Sequence, residues 1–160
     1  MAGSHRLVDR RRRQQGAIAV EFALIVPLLI ALLLAIITGG VAYSRSLSLS
    51  DAVRAGGRFG ATTINSGSWP GAVQQYTAAL SADGLTAAQV CVQLARGSTV
   101  LQSACSTGVG PPANPTGIAP TDCVVKVWAQ REVQFSAVPL LPISNITLDR
   151  STVLRYERTC

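Results

Sequence analysis

Histidine is almost absent from this sequence, which excludes the commonest catalytic sites. The chain has one histidine, His5, among 160 residues, and it lies in a basic N-terminal segment. The usual Ser-His-acid and Cys-His arrangements therefore cannot form in the rest of the chain. The six acidic residues after position 38 show no paired spacing, and no glycine-rich phosphate loop follows a strand-like run. We predict a protein that is not an enzyme and that needs no cofactor.

Metal-binding and nucleic-acid-binding patterns are also missing. No C-x2-C pair occurs, so the four cysteines lack the spacing of a zinc site. The formal net charge is +6, but residues 1–16 alone hold five arginines against one acid. The part after Thr38 has nine basic residues against six acids and no basic–aromatic stripe. We predict no metal site and no nucleic-acid partner.

One long apolar run dominates what is present. It extends from Ala17 to Ile37, 21 residues interrupted by one acid, Glu21, and one proline, Pro27. A helix of that length spans roughly 31 Å, which matches a bilayer hydrocarbon core of about 30 Å. A secretory signal peptide fits less well, because its apolar core has only about 7–15 residues. The run therefore predicts a transmembrane helix, which we place at residues 17–38.

The arginines before this run predict the orientation of the protein. Residues 10–13 are four consecutive arginines, at the end of a leader that we place at residues 1–16. Such a cluster stays on the cytoplasmic side of a membrane. We expect a single-pass protein of the cell membrane, with a cytoplasmic N-terminus and an extracytoplasmic C-terminal domain.

The acid inside the apolar run indicates a function. A lone carboxylate in lipid costs about 2.5 kcal/mol or more, so an intramembrane acid is rarely incidental. A cut after Gly16 would make Ala17 the first residue and Glu21 the fifth. A basic leader, a glycine, and a glutamate five residues past the cut resemble the N-terminus of type IV prepilins and pseudopilins. The alternative is a plain signal anchor whose Glu21 reaches the membrane interface.

This resemblance implies two roles for the segment. A prepilin peptidase would remove the leader between Gly16 and Ala17, on the cytoplasmic face. Glu21 would then form an ion pair with the new N-terminal ammonium of a neighbouring subunit. Pro27 would belong to the same assembly segment. The chemistry is reasonable, because opposite charges in a low-dielectric medium attract strongly and relieve each other's desolvation.

The helical pattern continues beyond the membrane as a stem over residues 39–65. Small and apolar residues three or four apart give it one narrow face, formed by Leu49, Ala52, Val53, Gly56, Gly57 and Gly60. The segment DAVRAGGRFGA resembles the A-x-R-x-G-x-R stretch after the span in TadE-like proteins of the tight-adherence (Tad) pilus system. The similarity lies in Ala52, Arg54, Gly56 and Arg58. We predict stem packing by Arg54, Gly56, Gly57 and Arg58; a solvated face is the alternative for the two arginines.

Residues 66–160 are predicted to form a small α+β head. A short helix is expected at residues 69–82, begun by Ser68 and ended by Gly84. Its buried face would hold Val73, Tyr76 and Leu80, which are three and four residues apart.

Strand patterns fill the rest of the head. Residues 90–105 read as a hairpin with its turn at residues 96–98. Residues 106–120 hold four prolines and three glycines and predict a flexible loop. Two long strand-like runs follow, at 123–138 and 146–160, and the apolar connection SAVPLLPISN joins them.

The cysteines all lie beyond the predicted span, where disulfides form. Opposed residues of an antiparallel hairpin share a constant sum of positions. The midpoint between positions 91 and 105 is residue 98, in the first turn, so Cys91 and Cys105 are expected to lie opposite each other. Cys123 and Cys160 centre on the long connection. We therefore predict these two disulfides, with a metal site as the poorer alternative.

The C-terminal run LRYE, residues 154–157, is also similar to the TadE-like ectodomain. The resemblance implies a minor pseudopilin that assembles a Tad-type (type IVc) pilus or a related secretion filament. Its partners would be other pilin or pseudopilin subunits, the inner-membrane assembly platform and the prepilin peptidase. The alternative is a membrane-anchored binding or adhesion module with an uncleaved anchor.

Overall fold

The computed structural model describes residues 4–82, 84–133 and 146–160, with side chains from residue 19 onward. Two helices and one antiparallel sheet make up the described chain, which confirms the predicted α+β fold. The elements are α1 (Ser4–Thr62), α2 (Trp69–Leu80), a short 3-10 turn (Ala87–Gln89), β1 (Val90–Arg96), β2 (Thr99–Ala104), β3 (Cys123–Val133) and β4 (Ile146–Arg155).

The chain divides into two compact units, Met1–Gly40 and Val41–Cys160. The described part of the first unit is helical throughout. The second unit contains the C-terminal part of α1, the helix α2 and the whole described sheet.

The sheet has the strand order β2-β1-β3-β4, and all neighbouring strands are antiparallel. It consists of two hairpins, β1–β2 and β3–β4, joined along β1 and β3. The β1–β2 turn is Gly97-Ser98, as the sequence predicts. Gly97 has a φ of +57°, a conformation that a side chain would strain.

One face of the sheet packs against the helices of the second unit. In a strand, alternate residues face the same side, so Val90, Val92 and Leu94 of β1 share a side with the odd-numbered residues of β3. This side forms the hydrophobic core with buried residues of α1 and α2. The core comprises Leu49, Val53, Ala61, Trp69, Val73, Leu85, Val90, Val92, Leu94, Cys123, Val125, Val127, Ala129 and Tyr156.

The opposite face of β3 is also buried, because the proline- and glycine-rich loop lies across it. Lys126 and Trp128 are only 8% and 5% exposed. The Lys126 ammonium donates to the Pro112 carbonyl at 2.7 Å, and the Trp128 indole N–H donates to the Val109 carbonyl at 3.0 Å. Residues 106–120 contain no helix or strand, as expected, but they are hydrogen-bonded to the sheet.

The predicted details of α2 are wrong in two respects. The helix ends at Leu80, so Gly84 does not terminate it. Its buried face holds Val73 and Thr77, whereas Tyr76 and Leu80 are 40% and 47% exposed. A spacing of three or four residues from Val73 is compatible with burial of either Tyr76 or Thr77. The small Thr77 side chain fits against α1 where a tyrosine would not.

Some predicted features lie outside the described residues. These are the apolar connection at 136–145, the end of the first long strand run at 134–138, and the first three residues of the leader. Within the described residues, α1 ends at Thr62, before the predicted stem end at residue 65.

Candidate assembly surfaces

The first surface is the apolar helix of the first unit. Nearly all of its side chains from residue 19 to residue 37 are exposed, including Phe22 at 67% and Leu24 at 74%. Among the described residues, α1 is the one helix long and apolar enough to cross a membrane, with a mean hydropathy of 2.9 in its most apolar window. Exposed apolar area of this extent is unfavourable in water. The helix therefore fits single-pass membrane anchoring.

Glu21 and Pro27 both lie in this helix. Glu21 is exposed, and its carboxylate forms no hydrogen bond or ion pair with another described residue. Pro27 is inside α1, where it contributes no backbone N–H. The backbone of Gly16 and Ala17 is helical, which places Ala17 one turn, or about 6 Å, from Glu21 along the axis. The side chains at 16 and 17 lie outside the described part.

The second surface is the C-terminal part of α1 in the second unit. The predicted small-residue face is buried against the head of the same chain: Leu49, Ala52, Val53, Gly56, Gly57 and Gly60. A β-carbon on Gly57 would lie 2.5 Å from Thr152 Cγ2 of β4. Its glycines thus allow α1 to approach both α2 and the sheet closely.

The two arginines of the motif point away from this packing. Arg54 and Arg58 are both exposed, and neither guanidinium group forms a hydrogen bond or ion pair with another described residue. Of the four residues predicted for stem packing, the structure therefore buries the two glycines and leaves the two arginines exposed.

The C-terminal segment, residues 156–160, is hydrogen-bonded to the end of α1. The last carbonyls of a helix have no partners within the helix. Here the Tyr156 hydroxyl donates to the Thr63 carbonyl at 2.8 Å, the Arg158 Nε donates to Thr62 at 2.6 Å, and the Glu157 N–H donates to Ala61 at 3.1 Å. In the sequence, only the family resemblance singles out Tyr156 and Glu157. Their role as a cap depends on contacts 93 and 96 residues apart along the chain, which no local pattern reveals.

The disulfides join Cys91 to Cys105 and Cys123 to Cys160. The first pair continues the β1–β2 register, in which Val92 lies opposite Ala104. The register predicted for the second pair is wrong. The β3–β4 register continues to Tyr156, whose N–H donates to the Cys123 carbonyl at 2.7 Å. Cys160 instead reaches Cys123 through the segment beyond β4.

Arg96 bridges the second disulfide and the C-terminal segment. Its Nη2 donates to the Cys160 carbonyl at 3.1 Å, and its Nε lies 3.4 Å from the Cys123 sulfur. These contacts hold the turn of the β1–β2 hairpin next to the segment that caps α1.

Lys126 is a buried charged side chain of the sheet. Burial lowers the pKa of Lys126 from its ordinary value of 10.5, because the charged ammonium is desolvated beneath the loop. Lys126 donates to the backbone carbonyl of Pro112 in the loop that covers it, which is a structural contact. In the described ranges, no three His, Cys, Asp or Glu side chains come together as a metal site would require.

Comparison with known proteins connects the N-terminal part of the chain to a family. No curated protein and no solved structure matches the chain. TadE-like proteins are associated with the Tad pilus and are generally not enzymes. Residues 16–58, which include Glu21 and both arginines of the motif, match the family model described as TadE-like protein, and this confirms the TadE-like resemblance.

Proposed function

We propose that this chain is a minor pseudopilin that takes part in assembly of a Tad-type pilus or related secretion filament. The observation that supports this most is the position of Gly16, Ala17 and Glu21. They lie at the start of the apolar run within α1, where the family match begins. In this proposal a prepilin peptidase cuts after Gly16 on the cytoplasmic face, and the head lies outside the membrane.

The proposal assigns the two units different tasks. The apolar helix inserts the protein and places Glu21 beside the N-terminal ammonium of a neighbouring subunit. In lipid, each of these charges is costly alone and much less so as a pair. The second unit, Val41–Cys160, contains both disulfides and has the chemistry of a domain that folds in an oxidising compartment.

Substitution of Glu21 tests the assembly role. Glu21→Ala should insert as well as the wild type, because an apolar side chain is favoured in the span. Leader cleavage should largely persist, since the scissile bond is five residues away. Co-purification with other pilin subunits, and piliation, should fall sharply.

Two further variants separate charge from shape. Glu21→Gln retains the shape without the charge and should fail as Glu21→Ala does, whereas Glu21→Asp should retain part of the activity. Normal pili from a strain carrying only Glu21→Gln would contradict the proposal. The uncleaved anchor of a binding or adhesion module would then be the better account.

A further inference from the structure

We infer that Arg54 and Arg58 form a docking site for an acidic segment of a different pilus subunit. The inference rests on the proposed function only in taking the partner to be a pilus subunit. The match to an acidic segment follows from the charges and positions of the two arginines.

The packing of α1 within the chain leaves both of these arginine side chains exposed. The buried side of this part of α1 is formed by Ala52, Val53, Gly56 and Gly57. Arg54 and Arg58 lie on the opposite side, and no other described residue bonds to their guanidinium groups. They are four residues apart, so their β-carbons are about 5–6 Å apart on the same face. A pair of like charges at this spacing disfavours a helix.

The arginines also border concave surface. An open groove between α1 and α2 is lined by residues that include Asp51, Arg54, Arg58, Phe59 and Tyr76. The rings of Phe59 and Tyr76 stack at the side of this groove, with centroids 4.3 Å apart. Tyr76 is 40% exposed although it sits in a helix that packs on the core. The groove thus offers two guanidinium groups beside an exposed aromatic ring.

Charge complementarity indicates what kind of segment would bind in this groove. Arginine guanidinium groups pair with carboxylates through two parallel hydrogen bonds, and two of them one turn apart match two carboxylates at the same spacing. A second copy of this chain fits less well. The same face presents one acid, Asp51, against two arginines, so two such faces would oppose like charges. Paired acids on a different chain therefore match this face better than the same face of a second copy does.

The scarcity of lysine in this protein allows a direct test by crosslinking through an introduced lysine. Its only lysine is Lys126, which is 8% exposed and bonded to the Pro112 carbonyl. Arg54→Lys or Arg58→Lys would retain the positive charge and add an accessible side-chain amine. A water-soluble carbodiimide joins such an amine to a carboxylate in direct contact. An amide forms, and the carbodiimide takes up the water as a urea.

The experiment uses full-length protein in cells that make the whole pilus system. After carbodiimide treatment, peptides containing the introduced lysine are identified by mass spectrometry. We expect an amide bond to an Asp or Glu of another pilus subunit. Arg155→Lys is the positive control, because Arg155 lies 3.0 Å from Asp122 within the chain. Ser98→Lys, in the exposed β1–β2 turn, is the negative control.

Neutral variants measure the contribution of the charges. Arg54→Gln with Arg58→Gln should lower recovery of the identified partner roughly five- to tenfold, as exposed charge pairs contribute up to about fivefold each. Unchanged melting temperature would show that the head remains folded. Links only to acids of this chain, or none while Arg155→Lys links to Asp122, would overturn the inference.

The mature N-terminus of the same samples separates this inference from the proposed function. A chain cut after Gly16 that gives no intermolecular link overturns the docking site alone. An uncleaved chain overturns the pseudopilin role, and a link from it to an acidic protein outside the pilus would overturn the assignment of the partner.

Discussion

Gly56 of α1 lies directly against Thr77 of α2, so that a β-carbon on the glycine would overlap the threonine hydroxyl. Thr77 is fully buried, and its hydroxyl donates to the Val73 carbonyl at 2.7 Å. The hydroxyl is therefore held in place by its own helix. The close approach of the two helices depends on the absence of a side chain at position 56.

Gly56→Ala should destabilise the head by about 1–3 kcal/mol, because an extra carbon in a packed core forces neighbours to shift. The measurement is chemical denaturation of wild type and variant. Gly71→Ala is the matched control. Gly71 is a helical glycine, and a β-carbon added to it would meet nothing within 4 Å, so this variant should be at least as stable as the wild type. Equal stability of Gly56→Ala and Gly71→Ala would contradict the packing described.

Tyr156→Phe should lower the free energy of unfolding by about 1 kcal/mol, because the Thr63 carbonyl loses its hydrogen bond from the hydroxyl. Tyr76→Phe is the control. Its ring can still stack on Phe59, and the Tyr76 hydroxyl bonds to no other described residue. Thermal melting of both variants should show a loss only for Tyr156→Phe. A similar loss in both would argue against a specific cap.

The two disulfides should appear in non-reducing peptide mapping as Cys91–Cys105 and Cys123–Cys160. Removing either should destabilise the head by roughly 2–4 kcal/mol, with the larger loss for the second pair if loop entropy dominates. The second pair closes the longer loop, with a sequence separation of 37 against 14. Free thiols in protein collected from cells would contradict both the pairing and the extracytoplasmic location.

Lys126 should give the head a specific pH dependence. Its pKa is lowered on folding, so the charged form disfavours the folded state, and this cost is full below the lowered pKa. Stability should therefore rise as pH increases from the lowered pKa toward 10.5, relative to a variant without the amine. Comparing melting temperatures of wild type and Lys126→Met over this range isolates the effect. Parallel curves would show that burial does not disfavour the charge.

Local patterns in the sequence predict where the helices and strands lie better than they predict which face of each is buried. The apolar run, the small-residue face of α1 and the β1–β2 turn at Gly97 follow from periodicity and residue type. The buried face of α2 does not, because Tyr76 and Thr77 fit the same spacing. Only the packing of Thr77 on Gly56 distinguishes them.

Long-range contacts limit the prediction of β3 and the C-terminal segment. Lys126 and Trp128 are buried beneath a loop that has no pattern of its own. Cys160 pairs with Cys123 although the strand register places Tyr156 opposite it. The exposure of Arg54 and Arg58 could not be predicted from the sequence either, because a motif gives residue types and does not show which way their side chains point.

The N-terminal residue of the mature protein tests the central claim most directly. Sequencing or mass spectrometry of protein from the membrane fraction should find a chain that starts at Ala17. Gly16→Val should remain uncut, because the larger side chain blocks the peptidase. Wild-type protein that retains the arginines of residues 10–13 would contradict the pseudopilin account.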